Sequence, residues 1–204
     1  MENYDLKKER RDLYAPGARA FAQVVVPPMS FLQISGEGNP NTAPAYRLAI
    51  ETLYMTSYAV RALAKAELGR THTVAPLEGL WTADDYTAFT TRDKDVWRWT
   101  MMIAQPEWIT PGMVDEARAR AAAKGAPAID RLTFAEYDEG LSVQILHIGS
   151  YDDEAPTLER LHNEYIPAAG LRMTGPHHEI YLSDARKTAP EKLRTILRQP
   201  VAPA

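Results

Sequence analysis

Phe31-Leu-Gln-Ile-Ser-Gly-Glu-Gly38 and Ser142-Val-Gln-Ile-Leu-His-Ile-Gly149 are the two stretches on which the reading of this chain turns. Laid on one another, they put Gln33 on Gln144, Ile34 on Ile145 and Gly38 on Gly149. Each is followed by a polar loop and an Ala-Pro pair, Ala43-Pro44 in one half and Ala155-Pro156 in the other. Proline suits the first position of a helix, because that N–H has no intrahelical partner. A helix is expected after both. In the first, Tyr46, Ile50, Leu53, Ser57, Val60 and Ala64 fall on one stripe at helical spacing. In the second, Leu158, Leu161, His162 and Tyr165 do the same, with Gly170 as the stop.

Two strand signals follow each helix. Leu77-Glu-Gly-Leu-Trp81 corresponds to His177-His-Glu-Ile-Tyr181, and Met101-Met-Ile-Ala-Gln-Pro106 to Thr195-Ile-Leu-Arg-Gln-Pro200. Four matches in the same order make a β-α-β-β unit used twice, the pattern of a repeat. Repeat one runs from about residue 20 to 106 and repeat two from about 131 to 201. Between them Thr110-Pro111, as N-cap and first helical residue, opens a connector helix of about 110–125 through Val114, Ala117 and Ala121. A strand from Leu132 to Tyr137 and a turn at Asp138-Glu-Gly140 then read as a hairpin into the second copy, and a similar strand, Ala20 to Val26, precedes Pro27-Pro28 and the first. The expected fold is α+β over residues 1–204 as one domain. Two copies joined edge to edge give one mainly antiparallel sheet with helices on one face and a ligand cleft at the pseudo-twofold seam.

Composition narrows the function. The 204 residues are 45% hydrophobic and 25% charged, with a formal charge of −4. That balance argues against a nucleic-acid partner, which needs a basic face. No stretch approaches the ~20 apolar residues of a membrane span. The start of the chain has charges but no apolar run behind them, so a cytoplasmic location is expected and no membrane partner. Cysteine is absent, which removes disulfides, thiol nucleophiles and Cys-bound metals. His177 and His178 are adjacent in a strand and face opposite ways, and His147 and His162 have no partner at ligand spacing, so no metal is expected. Gly36-Glu-Gly38 lacks the rest of a phosphate loop and no Gly-x-Ser-x-Gly elbow is present. No cofactor is implied.

Strand alternation picks out the candidate site. In His177-His-Glu-Ile-Tyr-Leu182, Ile180 and Leu182 point one way, towards the expected helix-covered face, and Glu179 and Tyr181 point to the open one. By the repeat, Gly79 is the counterpart of Glu179 and Trp81 that of Tyr181: one copy supplies charge, the other space. Tyr54 and Tyr58 share a helix face. Trp97 and Trp99 are expected in the core; Tyr54, Tyr58, Trp81 and Trp108 carry donors that favour a wet cleft.

His177-His-Glu-Ile-Tyr-Leu-Ser-Asp184 and Lys192-Leu-Arg-Thr-Ile-Leu-Arg-Gln-Pro200, with Pro76-Leu-Glu-Gly-Leu-Trp81 and Gly36-Glu-Gly-Asn-Pro40, resemble the GyrI-like small-molecule-binding proteins. The resemblance spans nearly the whole chain and is strongest to the stand-alone branch of cyclopropanoid cyclopropyl hydrolases. It implies a tandem β-α-β-β fold, an SHS2-type pair, and opening of the cyclopropane of DNA-alkylating natural products of the yatakemycin and CC-1065 type. It also implies a stand-alone role, since about 25 residues before the first repeat are too few for a helix-turn-helix. The glutamate at the floor of the family's cleft maps to Glu179, expected as general base in a metal-free hydrolysis, with Tyr58 or Tyr181 as hydroxyl donor. Tyr54, Trp81, Trp108, Tyr137 and Tyr181 are the expected ligand-binding aromatics. The expected partner is a small aromatic, electrophilic ligand, and the expected state a monomer or weak homodimer. The alternative is a non-catalytic protein that sequesters aromatic or cationic drugs through the same residues; a relative-like role in binding a macromolecule would need an exposed apolar patch.

Overall fold

The computed structural model describes residues 3–83 and 93–204. Its first half contains β1 (Asn3–Tyr4), α1 (Leu6–Glu9), α2 (Arg11–Tyr14), β2 (Ala22–Val26), β3 (Met29–Glu37), α3 (Pro44–Leu68), β4 (Thr71–His72), β5 (Leu77–Thr82) and β6 (Arg98–Ala104). Then come α4 (Pro111–Ala123), β7 (Thr133–Tyr137), β8 (Gly140–Ile148) and α5 (Ala155–Glu159), which runs through a π turn (Arg160–Tyr165) into α6 (Ile166–Ala168). β9 (Leu171–Met173), β10 (His177–Tyr181) and β11 (Arg194–Pro203) complete the order. The chain is α+β and contains the β-α-β-β unit twice, as β3-α3-β5-β6 and as β8-α5-β10-β11.

The chain forms two compact units, one from Met1–Glu9 and Met29–Tyr137, the other from Arg10–Pro28 and Asp138–Ala204. In the first unit the strands run in the order β5-β6-β3-β7, and in the second β10-β11-β8-β2, antiparallel at every pairing. The expected hairpin between β7 and β8 is therefore absent. β7 pairs with β3 of the first copy, and β2, which precedes that copy, pairs with β8 of the second. The lead-in strands are exchanged. Pro27-Pro28 explains one side of this: two consecutive residues without N–H groups, each restricting its predecessor to extended backbone, cannot form a tight turn between β2 and β3.

Strand register also adjusts the repeat. Gly79 lies opposite Met101 and Glu179 opposite Leu197, while Phe31 lies opposite Ala104 and Ser142 opposite Pro200. Met101 is thus the counterpart of Leu197 and Ala104 of Pro200. The two Gln-Pro pairs are out of register by two residues. Gly79 with Glu179, and Trp81 with Tyr181, are in register.

α3 begins with Pro44 at its first turn and ends at Gly69 in left-handed conformation. It buries Leu53, Ser57, Val60 and Ala64, as the stripe requires, and packs on β3, β6 and α4. Thr110 caps α4, its hydroxyl accepting from Met113 N–H at 3.3 Å, and Val114, Ala117 and Ala121 are buried. The second helix departs from a plain α-helix at its π turn. Pro167 has no N–H for the carbonyl four residues back and its ring crowds that carbonyl, which the wider turn relieves. Leu161 and Ile166 pack there with Val143 and Val201.

The other face of the second unit's sheet carries a buried ionic network. Arg198, 1% exposed, donates from Nη1 to Glu139 Oε2 (3.1 Å), from Nε to Gln144 Oε1 (3.0 Å) and from Nη2 to the Leu13 carbonyl (2.7 Å). His178 Nδ1 lies 3.0 Å from Glu139 Oε1. Burial pushes the Glu139 carboxyl up, but His178 and Arg198 outweigh it and hold the group below its ordinary value. Glu139→Ala leaves Arg198 buried without its counter-charge and is expected to lower stability by about 3–5 kcal/mol in urea unfolding. A group lowered on folding stabilises above its ordinary pKa, so this part of the stability is present at neutral pH and is lost on acidification through the lowered value. A mutant as stable as wild type at pH 7 would contradict both statements.

Candidate functional site

β10 alternates as its sequence demands: His177, Glu179 and Tyr181 share one face, His178 and Ile180 the other. The faces are the reverse of those expected. Glu179 is opposite Leu197, which lies on the same side of β11 as Val201, in the cluster with Leu161 of the second copy's helix. The helix therefore covers the Glu179 side, and α2 covers the side of His178 and Arg198, where Leu13 and Asp12 accept hydrogen bonds. Alternation separates two faces but does not say which one a helix will occupy.

On that face Tyr181 donates its hydroxyl to Glu179 Oε2 at 2.7 Å. His177 Nε2 lies 3.7 Å from Glu179 Oε1, and the Glu179 side chain keeps 15% exposure, enough to meet a ligand or water. Tyr151 packs edge-on against Tyr181 with ring centroids 5.7 Å apart. Its phenol is pushed up to about 12, first by burial and then by the charges of Glu179, Glu154 and Asp184, so it stays a protonated donor. Sequence reasoning missed Tyr151, which sits in the polar turn Tyr151–Glu154, where nothing in the alternation marks it. His162, expected to lack a histidine neighbour, packs edge-on against His177 at 6.0 Å. Burial lowers both imidazoles, His177 to about 3, so His177 is neutral at physiological pH. Among the described residues no group of three His, Asp or Glu side chains could hold a metal ion.

The corresponding face of the first unit is aromatic. Trp81 lies opposite Trp99 in the ladder; Tyr46 of α3 approaches both, at 6.0 and 5.2 Å, and Trp97 stands edge-on to Trp81 at 5.6 Å. Trp99 is 1% exposed and is core, as expected. Trp97 is only half-buried, with the Lys94 ammonium 5.6 Å from its ring, and so is not the core residue expected. A Cβ on Gly36 would overlap the Trp99 ring, so glycine is required there.

The other expected aromatics are dispersed. Tyr58 is 56% exposed and stands with Arg61, Ala62, Lys65 and Thr71 around a shallow depression, because the Tyr54–Tyr58 line lies on the flank of the buried stripe of α3. Tyr54 on the same flank is half-buried, and Tyr137 ends β7 opposite Met29. Trp108 has the Arg70 guanidinium 3.6 Å above its ring, with Tyr4 edge-on at 4.8 Å and His72 edge-on at 6.4 Å.

A family model for the GyrI-like small molecule binding domain matches residues 20–202. The chain belongs to the GyrI-like family. Among curated proteins nothing matches. Solved GyrI-like relatives do. An uncharacterized conserved protein from Listeria innocua is 36% identical over 98% of this chain and 100% of its own, with a TM-score of 0.89. A hydrolase from Listeria innocua is 34% identical over 98% and 100%, with a TM-score of 0.85. The C-terminal domain of EcmrR, 13% identical over 91% of this chain and 98% of its own with a TM-score of 0.57, shares the fold. This GyrI-like chain is thus a small-molecule-binding protein with relatives described as hydrolases, and among its described residues no helix is long and apolar enough to cross a membrane.

Two consequences can be measured. Gly36→Ala forces the Trp99 ring aside, and thermal unfolding should show a loss of about 1–3 kcal/mol with a changed near-ultraviolet tryptophan signal; an unchanged signal would mean the ring has room to spare. His177 binds a proton in the unfolded chain near its ordinary value of 6.5 but in the folded chain only near 3, as does His72 near 4, again through burial first. Folding stability therefore falls as pH drops below 6.5, by up to about tenfold in the folding constant per pH unit for each group. His177→Gln should make that fall shallower in a melting series from neutral pH to pH 4; an identical profile would show that His177 is not buried neutral.

Proposed function

We propose that this GyrI-like chain is a hydrolase for cyclopropane-bearing, DNA-alkylating small molecules, with Glu179 as the general base. The observation that carries the reading is the 2.7 Å hydrogen bond from Tyr181 to Glu179, which holds one carboxylate oxygen on a face where the side chain still has access to solvent. The relatives described as hydrolases support it. Tyr181, with Tyr151 packed edge-on against it, is the ligand-contacting aromatic of this proposal, its ring suiting a flat, electrophilic substrate.

In the reaction a water oxygen bonds to the exposed cyclopropane carbon while Glu179 takes its proton. The strained C–C bond breaks, its electron pair enters the conjugated ring, and the former carbonyl oxygen becomes a phenolate. A protonated tyrosine stabilises that oxygen by hydrogen bonding. Tyr151, packed against Tyr181 and kept protonated by burial and the neighbouring charges of Glu179, Glu154 and Asp184, suits this part. The proton on Glu179 then passes to the phenolate, and the product is the substrate plus one water, with no electrophilic ring left to alkylate DNA.

The test is incubation with such an alkylator followed by mass spectrometry. The substrate mass should rise by one water, and Glu179→Gln should lower the rate at least about 100-fold while ligand affinity changes little. A ligand retained at unchanged mass would make the protein a sequestering binder, and full turnover by Glu179→Gln would remove Glu179 from the chemistry.

A further inference from the structure

The surroundings of Glu179 contain one group that the reaction scheme leaves unused. Tyr181 occupies Oε2, whereas Oε1 faces the His177 ring at 3.7 Å. His177 has a side chain 9% exposed, and neither ring nitrogen has a hydrogen-bond partner. A buried imidazole without partners destabilises the fold, so its retention beside a carboxylate asks for a role. We propose that His177 is a positioning residue for Glu179: as the Nε2–H tautomer it directs its donor at Oε1 and, with Tyr181 on Oε2, fixes the carboxylate in one orientation. This rests on the reading of Glu179 as the base.

The other groups around the ring fit. His162 from the second copy's helix packs edge-on against it, and Gln199 of β11 donates its amide to the Gly175 and Pro200 carbonyls while its side chain raises both imidazoles against the stronger effect of burial. Glu139 and His178 are paired with each other on the opposite face. Glu179 is thus the carboxylate that meets His177 Nε2. Burial keeps the ring neutral, so it can donate without adding a charge that would weaken the base. The 3.7 Å separation is longer than a hydrogen bond; such contacts are often long in unliganded sites and shorten when the ligand excludes water.

The test reads the two groups directly in the full-length protein. Long-range proton–nitrogen NMR should show His177 as neutral Nε2–H with a bare Nδ1. Carbon-detected titration should put the Glu179 midpoint about one pH unit higher in His177→Phe and close to wild type in His177→Gln, which keeps an N–H donor. A bare Nε2 in the wild type, or a Glu179 midpoint unmoved in His177→Phe, overturns the assignment. If His177→Phe does not fold, the wild-type tautomer and the His177→Gln midpoint decide it. None of these readings needs turnover. A wild type that leaves the alkylator intact defeats the hydrolase reading and leaves the judgement on His177 standing.

Discussion

The buried guanidinium of Arg198 is the constraint on which the second unit depends. An arginine cannot give up its charge, so a position 1% exposed must bring counter-charge and acceptors to it. They come from three separated stretches: Glu139 from the link before β8, Gln144 from β8, and the Leu13 carbonyl from α2. Once His178 also joins Glu139, strand alternation leaves no choice for its neighbours. His177, Glu179 and Tyr181 must face the other way, under the helix. The candidate site is where it is because the ionic network holds the opposite side.

The two copies treat equivalent positions differently. Glu179 and Tyr181 in one stand where Gly79 and Trp81 stand in the other, and Thr195 stands where Trp99 does. One face is thus polar and titratable. Its counterpart is a set of rings packed edge to face, one of them against glycine. The repeat thus sets a carboxylate and a phenol on one copy where the other carries a glycine and a buried indole.

Much of this was legible in the sequence, for local reasons. Pro44, Thr110-Pro111 and Gly170 mark helix ends because backbone geometry demands them, and alternation grouped Glu179 with Tyr181. What escaped depends on partners distant in the chain. Alternation does not name the strand across the ladder, so β7 read as the hairpin partner of β8. A short Gln-Pro match outweighed the true register by two residues. The cation over Trp108 and the carboxylates around Tyr151 come together only through folding, and no spacing in the chain announces them.

The exchange of lead-in strands has a consequence for how such a chain can be divided. It is the arrangement of a domain-swapped dimer whose two copies have been written on one polypeptide. Cut after Tyr137, the amino-terminal piece would keep β2 with no β8 to pair with, and the carboxy-terminal piece would lose both its edge strand and the Leu13 carbonyl that Arg198 uses. Neither fragment would be a self-sufficient copy. The pieces would have to find one another and trade segments to become whole, so the duplication visible in the sequence no longer coincides with any part of the molecule that can be taken out intact.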